Sequence, residues 1–230
     1  MDVRREPRWS RWALVAACAL GGVLYGWALG SVGYGNSYYA AAARSMSQSW
    51  SNFFFGAFDP LGVSTVDKPP GALWVQALSV RLFGYHGWAL IVPQVAEGAA
   101  RGGGSSGGGL STWGVATGTL TAQQRSVLDY ATANRDGARI LLATLSATGA
   151  APYIIATGGD VIAMGGYNAT DQAVSLAELE RLVAEGDLRS VQLSGFTGQG
   201  AEADPRLAWI RRNCAQVRLD GVSDLYRCGA

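Results

Sequence analysis

Lys68 is the single lysine in a chain of 230 residues, where every other basic side chain except His86 is an arginine. It sits in Val66-Asp67-Lys68-Pro69-Pro70, and the two prolines that follow it fix the backbone on its C-terminal side. An ammonium held in such a turn can bind a phosphate as a compact point charge. Its neighbour Asp67 has the chemistry to ligate a divalent metal or to act as a base. On the motif alone, a rigid turn with a solvated Asp–Lys pair that does nothing is the favoured reading of the same five residues. Asp59, in the turn signal Phe58-Asp59-Pro60, is the other carboxylate between residues 31 and 87. Any general base in that stretch is therefore Asp67 or Asp59. His86 stands beside Tyr85 and close to Trp88 and reads as a packing or interface residue. Cys214 and Cys228 have no His or further Cys near them, so they are not a metal site. Spacing leaves open whether they form a disulfide or stay as two thiols.

Two helical segments flank the Asp67-Lys68 turn. Asn36–Trp50 (NSYYAAAARSMSQSW) carries Ala40–Ala43 and Met46, good helix formers, with Asn36 or Ser37 placed to cap its start. Ala72–Phe83 (ALWVQALSVRLF) follows the prolines and is dense in apolar residues. Between them lies Phe53-Phe54-Phe55. Exposing so aromatic a segment to water is unfavourable, so residues 31–101 are expected to lie in a membrane interface or against other membrane helices. The tract Gly102–Gly109 contains only Gly and Ser and reads as a flexible linker. Residues 110–230 then alternate between helix and strand patterns. Helices are expected over Ala122–Arg135, Ala147–Thr157, Ser175–Glu185 (opened by the capping box Ser175-Leu176-Ala177-Glu178) and Asp204–Asn213, with Pro205 at the first helical position. Arg139–Leu145, Val161–Met164 and Leu188–Leu193 read as strands, with Val217–Leu219 and Asp224–Arg227 as edge strands. Such alternation predicts a small α/β domain with a mostly parallel sheet. Thr157-Gly158-Gly159-Asp160 and Met164-Gly165-Gly166-Tyr167-Asn168 lack the GxGxxG spacing of a phosphate loop and read as turns.

Hydrophobic residues make up 49% of the chain, charged residues 15%, and the net charge is +1. That balance excludes a disordered chain and gives no field to attract nucleic acid. The mean hydropathy, +0.12, averages two unlike halves, since most of the Trp and Phe fall before residue 100. Ala13–Leu29 is an uncharged run preceded by Arg4, Arg5, Arg8 and Arg11. It reads as one N-terminal transmembrane helix with its N-terminus in the cytoplasm and the remainder outside. A cleaved signal peptide is the competing reading, against which no small-x-small site precedes Tyr34. Trp88–Ala96 is apolar but too short to span, contains Pro93, and runs into Glu97. The expected divisions are therefore 1–30 (tail and anchor), 31–101 (extracytoplasmic loop and the start of a second membrane helix), 102–109 (linker) and 110–230 (soluble extracytoplasmic domain).

The motifs Gly35-Asn36-Ser37-Tyr38-Tyr39-Ala40-Ala41-Ala42, Ser49-Trp50-Ser51-Asn52-Phe53-Phe54-Phe55-Gly56, Phe58-Asp59-Pro60, Val66-Asp67-Lys68-Pro69-Pro70, Leu73-Trp74-Val75-Gln76-Ala77 and Arg81-Leu82-Phe83-Gly84 occur in this order. Together they resemble the first extracytoplasmic loop of family 39 glycosyltransferases of the GT-C class, related to protein mannosyltransferases and the aminoarabinose transferase of lipid A. The resemblance is to the YkcB-like mannosyltransferase subgroup, and residues 154–168 and 175–186 are similar to the soluble C-terminal domain of that subgroup. It implies transfer of a sugar from a polyprenyl-phosphate carrier to an acceptor outside the membrane. Lys68 would lie near the carrier phosphate, and the helix bearing Asn36, Tyr38 and Tyr39 would line the site. Relatives carry an acidic pair ahead of this helix, where Gly35 and Asn36 stand here, so Asp67 and Asp59 remain the candidate catalytic carboxylates. The many membrane helices of the family have no counterpart between Glu97 and the linker. The expectation is an internally deleted transferase of little or no activity. A single-pass, membrane-anchored α/β module that binds wall glycan or a partner protein is the alternative.

Overall fold

The computed structural model describes residues 33–100, 118–193 and 204–229. The expected anchor Ala13–Leu29 and the linker Gly102–Gly109 lie outside them. Helix α1 (Ser37–Gln48) starts at Asn36, whose Oδ1 accepts from the N–H groups of Tyr38 (2.9 Å) and Tyr39 (3.4 Å). The extended backbone at Ser49 ends α1, and the Ser49 hydroxyl caps the short α2 (Trp50–Phe55). Gly56, in the left-handed region at φ 64°, closes α2. After the Pro69-Pro70 step come α3 (Gly71–Phe83) and α4 (Gly87–Ala100), the latter carrying Pro93 in its interior. Among the described residues no helix is long and apolar enough to cross a membrane.

The second half is a three-layer α/β unit. Its elements are α5 (Ala122–Ala133), β1 (Leu142–Thr144), α6 (Ala147–Thr157), β2 (Val161–Ala163), α7 (Leu176–Ala184), β3 (Ser190–Gln192), α8 (Pro205–Asn213), β4 (Ala215–Leu219) and β5 (Val222–Arg227). Thr121 and Gln124 form a reciprocal capping box on α5, Ser175 caps α7 and Asp204 caps α8. The strand order is β2-β1-β3-β5-β4. β1 pairs in parallel with β2 and β3, whereas β5 pairs antiparallel with both β3 and β4. The sheet is thus mixed, which corrects the expectation of a mostly parallel one. β5 is also an interior strand, not an edge. Asp220-Gly221 turns the chain between β4 and β5, with Gly221 at φ 72°, so a hairpin docks onto β3 where a further crossover would have kept the sheet parallel.

Side chains alternate across the sheet. Leu142, Val161, Ala163, Val222 and Leu225 face a core shared with α6 and α5. Ala143, Ile162 and Val191 face a second core with Leu179, Leu182 and Ile210 from α7 and α8. Cys214, at the end of α8, is joined by a disulfide to Cys228, just past β5. On the α6 side, the Tyr153 hydroxyl donates to Gln192 Oε1 at 2.7 Å, and Gln192 Nε2 reaches the Asp224 carboxylate. Those bonds satisfy a buried polar step between α6, β3 and β5.

The N-terminal helices pack on this unit. Ala40, Ala41, Ala42 and Ala43 of α1 are buried, and their small side chains let neighbouring helices approach closely. They share one apolar cluster with Ala147, Ala150, Ala151 and Ile154 of α6. At the far end of α6, Arg44 donates to the Ile155 carbonyl and Gln48 Nε2 donates to the Gly158 carbonyl at 3.0 Å. These two side chains satisfy orphan carbonyls at the α6 C-terminus, where a guanidinium also complements the helix dipole.

Candidate functional site

The start of α1 and the Val66–Pro70 turn meet. The Tyr39 hydroxyl lies 3.3 Å from Asp67 Oδ1 and donates to it. Lys68 Nζ sits 4.6 Å from the centre of the Tyr39 ring, over its face. The Lys68 ammonium is held above its ordinary range, first by its contact with Tyr39 and then by the Asp67 charge, with slight burial opposing. Tyr39 therefore links the acid and the base. Asp67 and Lys68 are both exposed, so a ligand can reach either group. Tyr38 is buried beneath them, stacked on Phe58 at 4.9 Å and edge-on to Tyr39 at 5.2 Å. Burial pushes the Tyr38 phenol strongly up, and the Asp67 charge adds to this, so it stays neutral. Asn36 spends its side-chain oxygen on the cap of α1 and stands exposed at the rim.

A residue from the α/β unit completes this cluster. Tyr167 packs edge-to-face against Tyr38, with ring centres 4.9 Å apart. Burial raises its phenol, and Tyr39 and Asp67 raise it further through space. Tyr167 lies in the loop after β2, at the carboxyl end of the parallel strands. The Gly165 N–H donates to the Leu145 carbonyl just past β1, and the Gly166 carbonyl accepts from Ala147 at the start of α6. Open α/β sheets bind ligands outside this edge. The loop is tightly packed: a Cβ on Gly165 would fall 2.5 Å from the Ala169 Cα and 2.7 Å from the Leu145 carbonyl oxygen. Ala169 itself holds a left-handed backbone at φ 67° while buried. Arg206 of α8, only 3% exposed, ties the loop down by donating to the carbonyls of Met164, Val174 (2.7 Å) and Asp171 (3.1 Å). Asp204 neutralises it in a buried ion pair. Tyr167 and Arg206 were not singled out from the sequence as site residues. No local motif marks them, because their roles come from contacts between distant segments.

Asp59 lies elsewhere in the loop and is fully buried. Its Oδ1 accepts from the N–H groups of Leu61 and Val63 (3.1 Å each), and its Oδ2 from the Ser64 N–H (2.8 Å) and hydroxyl (3.0 Å). Burial pushes this carboxyl up, and the four donors oppose that shift. A carboxylate so engaged organises the 59–64 turn, and of the two candidate carboxylates Asp67 is the one open to substrate. His86 stacks on Trp88, its ring centre 6.2 Å away. Among the described residues no three His, Cys, Asp or Glu side chains converge to hold a metal ion. For a divalent cation, Asp67 offers a single carboxylate.

Residues 127–213, from α5 to the end of α8, match the family described as "Putative mannosyltransferase YkcB-like, C-terminal". The Tyr167 loop and Arg206 fall within that match; the β4–β5 hairpin does not. Over 63 residues the chain is 52% identical to "Putative mannosyltransferase YycA" and 51% identical to "Putative mannosyltransferase YkcB", both of Bacillus subtilis (strain 168). Each match covers 27% of this chain and 9% of the relative. No solved structure matches the chain. The chain is thus similar over part of its length to mannosyltransferase-named proteins, and that similarity supports a glycosyltransferase-related function.

Proposed function

We propose that this protein is a membrane-anchored relative of GT-C family 39 glycosyltransferases that binds a polyprenyl-phosphate-linked sugar. In this reading the anchor Ala13–Leu29 leaves the N-terminus in the cytoplasm and all later residues outside. The observation that carries the proposal is the exposed Asp67–Tyr39–Lys68 array at the start of α1. Lys68 meets the donor phosphate, and Asp67 accepts a hydrogen bond from a sugar hydroxyl, with Asn36 at the rim and Tyr38 as the floor. The Cys214–Cys228 disulfide supports an oxidising, extracytoplasmic setting. Among the described residues no helix is long and apolar enough to cross a membrane and hold the carrier chain, so in this reading transfer is weak or absent while donor binding persists.

The test is equilibrium binding of a radiolabelled polyprenyl-phosphate mannose to the full chain in detergent micelles. Lys68→Ala should weaken binding by about tenfold, the scale of one charge-assisted hydrogen bond. Equal affinity in the variant would remove Lys68 from the site. Robust sugar transfer by the purified chain would overturn the expected loss of activity.

A further inference from the structure

Resting on that reading of the Asp67–Lys68 site, we infer that Tyr39 is a positioning residue whose hydroxyl and ring hold the two neighbouring charges apart, so that the ammonium meets the donor phosphate unneutralised. Asp67 and Lys68 are adjacent, exposed and of opposite charge, and such groups attract each other. Among the described residues, however, the ion pairs all use arginine, and none joins Asp67 to Lys68. Each turns instead to Tyr39. The Tyr39 hydroxyl donates to Asp67 Oδ1 at 3.3 Å, and the Lys68 ammonium lies 4.6 Å from the centre of the Tyr39 ring. The Asp67 charge still reaches Lys68 through space, but as a neighbour and not as a partner.

Tyr39 can do this because α1 fixes it. Its N–H donates to the Asn36 cap at 3.4 Å, and its ring packs edge-on with that of buried Tyr38, 5.2 Å between centres. On the turn, Pro69 biases Lys68 toward extended backbone, in which successive side chains leave the chain on opposite sides. Tyr39 spans that divergence, with its hydroxyl on one group and its ring face on the other. The arrangement suits an anion site. A carboxylate that pairs with an ammonium must be displaced before a phosphate can take its place. An aromatic face attracts the same ammonium with no formal charge to displace. The Tyr39 hydroxyl engages only one of the two Asp67 oxygens, so the carboxylate is held in place without being used up. Lining the site is thus the lesser part of what Tyr39 does; keeping its two charges separately usable is the greater.

Lys68 is the only lysine in the chain, so carbon-13 labelling of lysine Cε gives the full chain in detergent micelles a single lysine Cε signal. The Cε protons lie over the Tyr39 ring, whose current should move them upfield of a free lysine. Inorganic phosphate is the probe, titrated against that signal. Tyr39→Phe keeps the ring, and therefore the upfield shift, but releases Asp67 to pair with Lys68. It should bind phosphate about two- to fivefold more weakly, the range of a surface ion pair. Asp67→Asn removes a negative charge and strengthens phosphate binding in either background, and the gain should be larger in Tyr39→Phe than in the parent. Equal gains in the two backgrounds, or a Phe variant that binds as the parent does, would overturn the separation of charges and leave Lys68 as the phosphate group. A parent or Phe-variant signal at the free-lysine position would overturn it as well. A parent signal that phosphate does not move would sink the donor reading and this inference together.

Discussion

Asp59 illustrates how one side chain builds a loop that another uses. Its two oxygens gather four donors from Leu61, Val63 and Ser64, folding the chain back before the Asp67-Lys68 turn. Replacing it with Asn sets an amide N–H₂ against N–H donors that then have no acceptor. A buried donor left unpaired costs about 1–3 kcal/mol, so Asp59→Asn should lower unfolding stability by roughly 2–3 kcal/mol by chemical denaturation. A variant of undiminished stability would mean that the carboxylate is not what holds the turn. The turn itself was legible in Phe58-Asp59-Pro60, and Asp67 and Lys68 stood out by type. Which carboxylate is open to solvent was not legible, because the burial of Asp59 is decided by the tertiary packing of the loop around it. Tyr167 was hidden for a related reason. In sequence it is one residue of a glycine-rich turn, and only the packing of α1 against α6 brings it to Tyr38.

Helix α1 lies alongside α6 and links the two halves. Its buried alanines make the seam, and Arg44 and Gln48 close its end over the α6 carbonyls. Gly158 is the tight point. It sits at φ 65° as the C-terminal cap of α6, and an added Cβ would fall 2.9 Å from Arg44 Nε. Gly158→Ala should destabilise the chain by about 1–2 kcal/mol from the left-handed backbone alone, with a further loss from displacing Arg44. The two effects share one contact, so the Arg44→Leu substitution should cost less in the Gly158→Ala background than in the parent. Strict additivity in that double-mutant cycle would show that Arg44 does not clamp α6 through this turn. Most helices could be placed to within a residue or two, since their caps (Asn36, Ser175, Asp204) are local signals. The sheet was less legible. The short strands have continuous apolar burial, which does not reveal direction, and the Asp220-Gly221 hairpin signal had no local cue that it would join β3.

At the scale of the whole molecule, the N-terminal helices carry an exposed aromatic surface. Phe54, Phe55, Leu82 and Phe83 are each more than half exposed, with Trp50, Trp74, Trp88 and Val92 around them, all on α2, α3 and α4. These groups form contacts with one another: Trp50 on Phe54, Phe54 on Trp74, and Phe83 on Trp88. Arg81 lies over the Trp50 ring at 4.3 Å, as a cation does where an aromatic belt meets headgroups. Few soluble monomers leave so large an apolar patch uncovered. The sequence reading places residues 31–101 at a membrane interface, and this face is the surface that would lie there, its Trp and Phe set into the headgroup boundary. Glu180, exposed on α7, would then face water. An environment-sensitive fluorophore attached through Leu82→Cys in vesicle-reconstituted protein should emit in the blue-shifted range and be quenched by spin labels on the lipid chains. The same label at Glu180→Cys should emit as in water and ignore the lipid quencher, with Cys18 replaced by Ala in both. Burying these aromatic groups in the interface would gain about 25 cal/mol per Å² of apolar surface removed from water, which opposes the cost of ordering them there. If position 82 reports water as position 180 does, the aromatic face is covered by protein and not lipid, and the Asp67–Lys68 site would no longer be brought to a carrier at the membrane surface.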